Sequence, residues 1–168
     1  MILIEDAGAA DIPVIRSLAE KIWPAAYRGI LSRAQIAYMM EQLYSHAALE
    51  AQIAGEHHFL IAKENDAPAG FADYGALPEP GVCKLHKIYV LPELQGKGIG
   101  LRIINEVITR ARSSGAEWLE LNVNRHNKAR FFYEKLGFTI YDKMDIPIGE
   151  GYFMNDYVMR KSIFNSEL

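Results

Sequence analysis

Cysteine is nearly absent from this sequence, since Cys83 is the only one among 168 residues. A lone cysteine cannot form an intramolecular disulfide, so we expect a protein of the reducing cytoplasm with Cys83 as a small buried apolar side chain. Long apolar runs and a basic-then-apolar N-terminal signal are also missing, which predicts no membrane association. With a net charge of −3, the chain lacks the positive excess typical of nucleic-acid-binding proteins.

Repeats, low-complexity stretches and interdomain linkers are missing too, so we predict one domain over residues 1–168. The charges within it are unevenly distributed. Residues 84–135 hold ten Lys or Arg and five Asp or Glu, whereas the rest of the chain holds eight and sixteen. The basic segment favours a polyanionic ligand, and the acidic remainder either suits a cationic ligand or is an uneven solvated surface.

Three glycines within five residues mark the most informative stretch, Gln95-Gly96-Lys97-Gly98-Ile99-Gly100. It follows a strand-like segment at 85–90 and precedes a helix-like segment at 101–112. Glycine leaves backbone N–H groups accessible, and the N-terminus of a helix attracts anions. The stretch therefore predicts a site for a phosphate-bearing ligand.

The spacing of these glycines excludes two common phosphate sites. No glycine is followed by Lys and then Ser or Thr, and a G-x-G-x-x-G fingerprint counted from Gly96 ends on Leu101. The remaining pattern is Q-x-x-G-x-G, formed by Gln95, Gly98 and Gly100. It resembles the pyrophosphate-binding motif of the GNAT superfamily of acetyl-CoA-dependent N-acetyltransferases.

A second segment downstream supports the same resemblance. Residues 127–138, NKARFFYEKLGF, are similar to the GNAT pattern N-x-x-A-x-x-F-Y-x-K-x-G-F, with one residue fewer between Asn127 and Ala129. Asn124 is an alternative match for the asparagine of the family. A strand-like segment at 118–123 separates the two motifs, as in the family. The tail at 151–159 is similar to that of a GNAT subgroup that contains bacterial polyamine acetyltransferases.

Hydrophobic periodicity predicts both strands and helices along the chain. The strands are expected at 2–4, 58–63, 69–76, 85–90, 118–123, 139–144 and 152–160, and the helices begin near Asp11, Ser32, Ser45, Leu101 and Ala129. This order gives a mixed α/β sheet with helices on its faces. The resemblance implies a single GNAT-like domain with a mostly antiparallel sheet, helices on both faces, and two central strands that splay apart to admit the pantetheine arm.

The resemblance also implies acetyl-CoA as co-substrate and no metal. Backbone N–H groups of the glycine turn would hold the pyrophosphate, and the preceding strand would pair with pantetheine and stabilise the oxyanion. Asn127 would hydrogen-bond to the pantetheine arm, whereas Lys97, Arg102 and Lys135 are either phosphate partners or solvated. The predicted cofactor-binding residues are Ile88, Tyr89, Val90, Gln95, Gly96, Lys97, Gly98, Ile99, Gly100, Leu101, Asn127 and Lys135.

Two residues are predicted to move protons. Tyr133 is the catalytic acid that the resemblance implies, because a phenol with a pKa of about 10 can protonate a thiolate whose conjugate acid has a pKa of about 8.5. Its position beside Phe132 and Leu136 also fits a core tyrosine. The acceptor amine must lose a proton, and His86 is the candidate base, since it shares a strand face with Ile88; the alternative is a plain strand histidine.

The acceptor site is predicted from segments where the resemblance is weaker. Residues 23–32 interrupt the helical pattern, which predicts a loop over the acceptor. Trp23, Tyr27 and Tyr152 are the candidate substrate-binding residues, although core packing also explains such aromatic side chains. We expect a small, cationic, polyamine-like amine as substrate. A protein or peptide amine and a non-catalytic acyl-CoA-binding sensor are the alternatives, and a homodimer is left open.

Overall fold

The structure of the protein is a computed structural model, and it describes residues 1–164. Strands and helices alternate along this part of the chain. The strands are β1 (Ile2–Ala7), β2 (His58–Glu64), β3 (Ala67–Ala76), β4 (Val82–Val90), β5 (Trp118–Asn124), β6 (Thr139–Gly149) and β7 (Tyr152–Ser162). The α-helices are α1 (Ile12–Ala26), α2 (Arg33–Tyr44), α3 (His46–Ala54), α4 (Ile99–Ser113) and α5 (Ala129–Lys135), and short 3-10 helices lie at Ala9–Asp11 and Pro92–Leu94.

The strands form one sheet in the order β1-β2-β3-β4-β5-β7-β6. The pairs β1/β2, β2/β3, β5/β7 and β6/β7 are antiparallel, whereas β4 and β5 are parallel. The parallel register joins residues 82–85 to residues 118–121, although β4 continues to Val90 and β5 to Asn124. This mixed, mostly antiparallel sheet confirms the predicted fold class.

The internal packing divides the chain into two compact units. The first unit comprises Met1–Gly75 and His86–Val107, and it therefore holds α1 to α3, the end of β4 and the start of α4. The second unit comprises Ala76–Leu85 and the chain from Ile108 onward, with β5, β6, β7 and α5. One domain over residues 1–168 stays a prediction, and its last four residues lie outside the described part.

The helix starts follow from local capping. The Ser32 hydroxyl accepts a hydrogen bond from Gln35 N at 3.1 Å, and the Ser45 hydroxyl accepts one from Ala48 N at 3.2 Å, so α2 and α3 begin where their N-cap residues predict. Pro13 lies in the first turn of α1, where its missing N–H costs no helical hydrogen bond. The predicted buried face of α1 is confirmed, because its members are all buried: Ile12, Ile15, Leu18, Ala19 and Ile22.

Three details of the expected pattern are wrong. Helix α1 continues through Pro24 to Ala26, so the loop predicted from Trp23 begins only at Tyr27. Pro24 cannot donate a helical hydrogen bond, yet the helix continues past it, and Tyr27 N donates to Trp23 O at 3.0 Å. Leu101 and Phe132 fall on apolar faces at helical spacing in the sequence, which predicts burial, but each is 39% exposed. Cys83 is buried, as predicted.

Candidate active site

The glycine turn joins β4 to α4 within the first unit. Gly96 and Gly98 have φ angles of +83° and +82°, a left-handed conformation that glycine adopts without strain. A Cβ atom added at either position would have no heavy atom within 4 Å, so the space over the turn is open. The first helical hydrogen bond of the turn runs from Arg102 N to Gly98 O at 3.1 Å. The N–H groups at the start of α4 therefore precede the helical ladder and are available to an anion.

Side chains around the turn add modest positive charge. The Lys97 ammonium lies 3.8 Å from the Glu64 carboxylate and is half-exposed, so a phosphate could replace this weak contact. The Arg102 guanidinium donates to Ile2 O at 3.3 Å. Gln95 is exposed and its amide donates to Val90 O at 3.3 Å, which ties the start of the turn to the end of β4. The turn is thus anchored, with its backbone exposed.

The end of β4 approaches β3 closely in the same unit. A Cβ atom at Gly70 would lie 2.5 Å from Tyr89 O and 3.2 Å from Val90 Cα, so only glycine fits there. Leu91 N donates to Ala69 O at 2.9 Å. Ile88, Tyr89 and Val90 are half-buried in this arrangement. Their backbone is therefore fixed by its neighbour on the β3 side.

Aromatic side chains cluster around Tyr89 in the first unit. The Tyr27 and Tyr89 hydroxyls are hydrogen-bonded at 2.9 Å, and the Trp23 ring lies 4.6 Å from Tyr27 and 5.7 Å from Tyr89. Trp23 Nε1 donates to the Tyr44 hydroxyl at 3.1 Å. Trp23 is 2% and Tyr27 6% exposed. Both candidates thus belong to a core cluster, and their direct contact with a substrate stays a prediction.

His86 stands beside a buried charged group that the sequence did not reveal. Its ring stacks on His57 with centroids 4.3 Å apart, and His57 Nδ1 lies 2.5 Å from Asp73 Oδ2. The fully buried Asp73 also accepts from Lys87 Nζ at 2.7 Å, and Lys87 donates to Gln52 Oε1 at 2.6 Å. Burial lowers the pKa of Lys87 below its usual value, although the Asp73 carboxylate opposes this shift. His86 itself is exposed.

The second motif forms α5 and the turn before it, in the second unit. Asn127 Oδ1 accepts from Ala129 N at 2.9 Å, so its side chain helps to start the helix and keeps its NH₂ group for another acceptor. Asn124 Oδ1 accepts from His126 N at 2.9 Å. Both asparagines therefore shape the turn, and the geometry leaves the alignment of the family asparagine open. Lys135 is exposed in the last turn of α5.

Tyr133 is held by packing within the same unit. It is 8% exposed, and its ring lies 5.5 Å from Phe132 and 5.9 Å from Phe138, the latter in an edge-to-face arrangement. Phe138 N donates to Tyr133 O at 3.1 Å, and Gly137 has a φ angle of +96°, which closes the helix. The phenol ring is therefore in a fixed position, which both a catalytic acid and a core tyrosine require.

A polar face runs across β4, β5 and β7 in the second unit. Lys84 Nζ donates to Glu120 Oε2 at 2.7 Å and to Asn122 Oδ1, and Arg160 Nε donates to Glu120 Oε1 at 3.0 Å. Asn122 Nδ2 donates to Asp156 Oδ2 at 3.3 Å. The alternation of polar and apolar residues in β5 predicts that Glu120 and Asn122 share a face. The partners that β7 contributes could not be read from the sequence.

Further observations concern a pocket, Tyr152, metal ligation and membrane-spanning helices. A pocket of about 320 Å³ lies between α1 and α2 in the first unit, lined by Arg16, Glu20, Glu41 and Tyr44 among others. Tyr152 begins β7 opposite Gly149.

Over residues 1–164, no group of three or more His, Cys, Asp or Glu is arranged to hold a metal ion. No helix of that range combines the length and the hydropathy required to span a membrane.

A model of the acetyltransferase (GNAT) family matches residues 16–138. The ribosomal protein bS18-alanine N-acetyltransferase of Haemophilus influenzae is 35% identical over 79 residues, which cover 47% of this chain and 53% of that protein. The spermidine N(1)-acetyltransferase of Thermoplasma acidophilum is 26% identical over 145 residues, which cover 83% of this chain and 89% of that protein. The chain spans about half the length of several curated relatives, 39% to 59% for three of them.

The fold is also similar to solved structures. The crystal structure of the PaiA N-acetyltransferase from Thermoplasma acidophilum, in complex with coenzyme A, has a TM-score of 0.83 and 26% sequence identity to this chain. The match covers 96% of this chain and 99% of that chain.

Proposed function

Since this chain belongs to the acetyltransferase (GNAT) family, we propose that it transfers the acetyl group of acetyl-CoA to a primary amine. The observation that carries the proposal is the exposed glycine turn at the start of α4, with Gly96 and Gly98 at positive φ under open space. A relative of nearly the same length and similar fold is solved in complex with coenzyme A, which supports the same ligand here.

The proposed reaction is a direct attack. The neutral nitrogen of the acceptor forms a bond to the thioester carbonyl carbon, and the carbon–sulfur bond breaks. The nitrogen loses one proton as it becomes an amide, and the thiolate takes up a proton. A backbone N–H group at the end of β4 stabilises the developing oxyanion, and Ile88, Tyr89 and Val90 hold the pantetheine arm by strand-like pairing. The glycine turn binds the pyrophosphate through backbone N–H groups, and the Asn127 amide donates to the pantetheine arm.

Tyr133 is the proposed proton donor to the thiolate. Its support is the match of residues 127–138 to the family motif, together with a ring fixed by Phe138. A fixed phenol is what a general acid requires, because the proton must be in reach when the carbon–sulfur bond breaks. The same packing would serve a purely structural tyrosine, so replacement of the hydroxyl alone is the decisive change.

His86 is the proposed base that receives the proton of the incoming ammonium. The support is its exposure on β4 and its stacking on His57, whose Nδ1 is 2.5 Å from Asp73 Oδ2. The stack limits the orientations of the His86 ring, and imidazole is the side chain best suited to exchange a proton near neutral pH. The His86 side chain is exposed and contributes little to the core, so we expect β4 to fold without it.

The proposed acceptor is a small cationic amine. The similarity to a spermidine N(1)-acetyltransferase along most of both chains supports it, as does the acidic part of the chain outside residues 84–135. The alternative is a protein or peptide amine, which the similarity to a bS18-alanine N-acetyltransferase favours. An acyl-CoA sensor without turnover is the third possibility. The proposal includes a cytoplasmic location and leaves a homodimer open.

An acceptor panel tests this proposal. The purified protein is incubated with acetyl-CoA and, separately, with diamines, polyamines, monoamines, amino acids and peptides, and free thiol and acetylated product are both measured. We expect the highest kcat/KM with a di- or polyamine. A peptide N-terminus as the best acceptor would replace the substrate class, and acetyl-CoA binding without any product would favour the sensor.

A further inference from the structure

Asp156 on β7 is a buried carboxylate with an unsatisfied oxygen. The residue is 5% exposed, and its Oδ2 accepts a hydrogen bond from Asn122 Nδ2 at 3.3 Å. Its Oδ1 is buried and has no hydrogen-bond partner within residues 1–164. A buried carboxylate oxygen without a partner costs free energy, so such an atom points to a missing donor.

The charges around Asp156 leave it as the unpaired acid. Lys84 is paired with Glu120 at 2.7 Å, Arg125 with Asp145 at 2.6 Å, and Arg160 with both Glu79 at 2.5 Å and Glu120 at 3.0 Å. Lys84, Arg125 and Arg160 are therefore each engaged with a carboxylate other than Asp156. Among the ion pairs of the described residues, none includes Asp156. A buried carboxylate without an ion pair favours a positively charged donor as the missing partner.

The electrostatic environment of the Asp156 carboxyl fits a cation that binds reversibly. Burial raises the pKa of Asp156 above its usual value, although the hydrogen bond from Asn122 and the charges of Lys84 and Arg125 oppose the shift. In the register of β5 and β7, Asp156 lies opposite Asn124. Asn124 precedes Asn127 by three residues, and α5 begins at Ala129.

We propose that Asp156, together with Asn122, binds an ammonium group of the acceptor, and that this is the ammonium that does not react. The inference rests on the proposed function, since it assigns part of the acceptor site. The amine that attacks must first lose its proton, and an ion pair with a carboxylate would oppose that loss. A second, permanently charged ammonium instead satisfies Oδ1 throughout the reaction. The ligand class is therefore an alkyl diamine or polyamine.

Two amines with the same carbon chain distinguish a specific ammonium site from general electrostatic attraction. Protein saturated with CoA is titrated calorimetrically with 1,4-diaminobutane and with 1-aminobutane, and the same amines are compared as substrates by KM and kcat. Wild-type protein should bind the diamine more tightly, by about tenfold or more, as loss of a buried charge partner usually costs at least that factor. Asp156→Asn should abolish the difference between the amines while the affinity for acetyl-CoA is retained.

The control variant is Asp142→Asn, which removes the same charge from an exposed carboxylate in the same unit. It should keep the wild-type preference. Asp156→Asn retains a carbonyl oxygen for Asn122, and it should melt at no lower temperature than wild type at neutral pH. The reason is that a carboxyl with a raised folded-state pKa destabilises the fold when it is ionised, above its ordinary pKa.

The wild-type protein provides a second test that needs no variant. The preference for the diamine should fall as the pH is lowered through the raised pKa of Asp156, because the protonated carboxyl no longer binds a cation. Both amines stay protonated over this range, since alkyl amines titrate at about 10.4. A preference that stays constant down to a pH of about 3.9, the ordinary pKa of Asp, would overturn the proposal.

The outcomes distinguish this inference from the proposed function. Acetylation of both amines with equal affinity, or an unchanged preference in Asp156→Asn, would refute the ammonium site and leave the acetyltransferase standing. Diamine binding that depends on Asp156 in a protein that acetylates nothing would support the site and refute the proposed reaction.

Discussion

Tyr133 is the single residue at which structure and chemistry can be separated most cleanly. Its ring is 8% exposed and packs edge-to-face on Phe138, so the aromatic ring serves the core whatever the hydroxyl does. The hydroxyl is the group that the proposed reaction uses. Asp156 presents the opposite case, because burial of its carboxylate is unfavourable for the fold, and we propose a ligand ammonium as the compensating partner.

Replacement of Tyr133 by Phe should lower kcat by about 10² to 10⁴, the range for a positioned general acid, with the KM for acetyl-CoA largely unchanged. The ring and its packing remain, so the melting temperature should change little. Tyr141→Phe is the matched control, since it removes the same hydroxyl from an exposed ring in the same unit. Wild-type turnover in a folded Tyr133→Phe protein would assign Tyr133 to the core alone.

Among the elements, the start of α4 carries the most specific part of the account. The turn combines two positive-φ glycines, an open surface and the positive end of a helix of 15 residues. A side chain at Gly98 would enter the space that the pyrophosphate is proposed to occupy. An acidic side chain would add a repulsive charge at the same place.

Gly98→Asp should weaken acetyl-CoA binding by at least about tenfold, measured by calorimetry, because one lost phosphate contact and one repulsive charge together exceed about 1.4 kcal/mol. Gly115→Asp controls for backbone strain and charge. Gly115 has a φ angle of +88°, its Cβ would also meet open space, and it follows the other end of the same helix. Equal affinity in the two folded variants would place the pyrophosphate elsewhere.

The elements themselves could largely be predicted from local sequence, because their signals are local. Ser32 caps α2 as its spacing to Gln35 indicates, and α3 begins after Ser45 as predicted. The break expected at Trp23 was wrong, since a proline in the last turn of a helix removes few hydrogen bonds and the buried Trp23 ring holds the chain in place.

Other features depend on contacts between distant residues and could not be predicted. Leu101 continues the apolar period of α4 but is exposed, because Ile103 and Val107 fill the buried face instead. The pairing of Asp73 with His57 and Lys87 joins three separate segments. Asp156 resembles any surface aspartate in the sequence, since only the registered β5–β7 pair shows that it is buried beside Asn122.

For the whole molecule, the family is established while the reaction of this chain is proposed. The residues predicted from the sequence fall in both compact units: the glycine turn and His86 in the first, and Asn127 and Tyr133 in the second. Asp156, which only the structure reveals, also lies in the second unit. The central claim is that the protein joins the acetyl group of acetyl-CoA to an amine nitrogen. Binding of CoA alone would not establish this, because a sensor would bind it equally well.

Transfer of a labelled acetyl group tests that claim most directly. Wild-type protein is mixed with acetyl-CoA labelled with ¹³C at the acetyl carbonyl and with 1,4-diaminobutane, and the products are followed by NMR together with free thiol. The account predicts that the labelled amide and the free thiol appear in equal amounts, and far more slowly with Tyr133→Phe. Thiol released without labelled amide would show hydrolysis, and a bound cofactor that stays intact with every amine would contradict the proposed acetyltransferase.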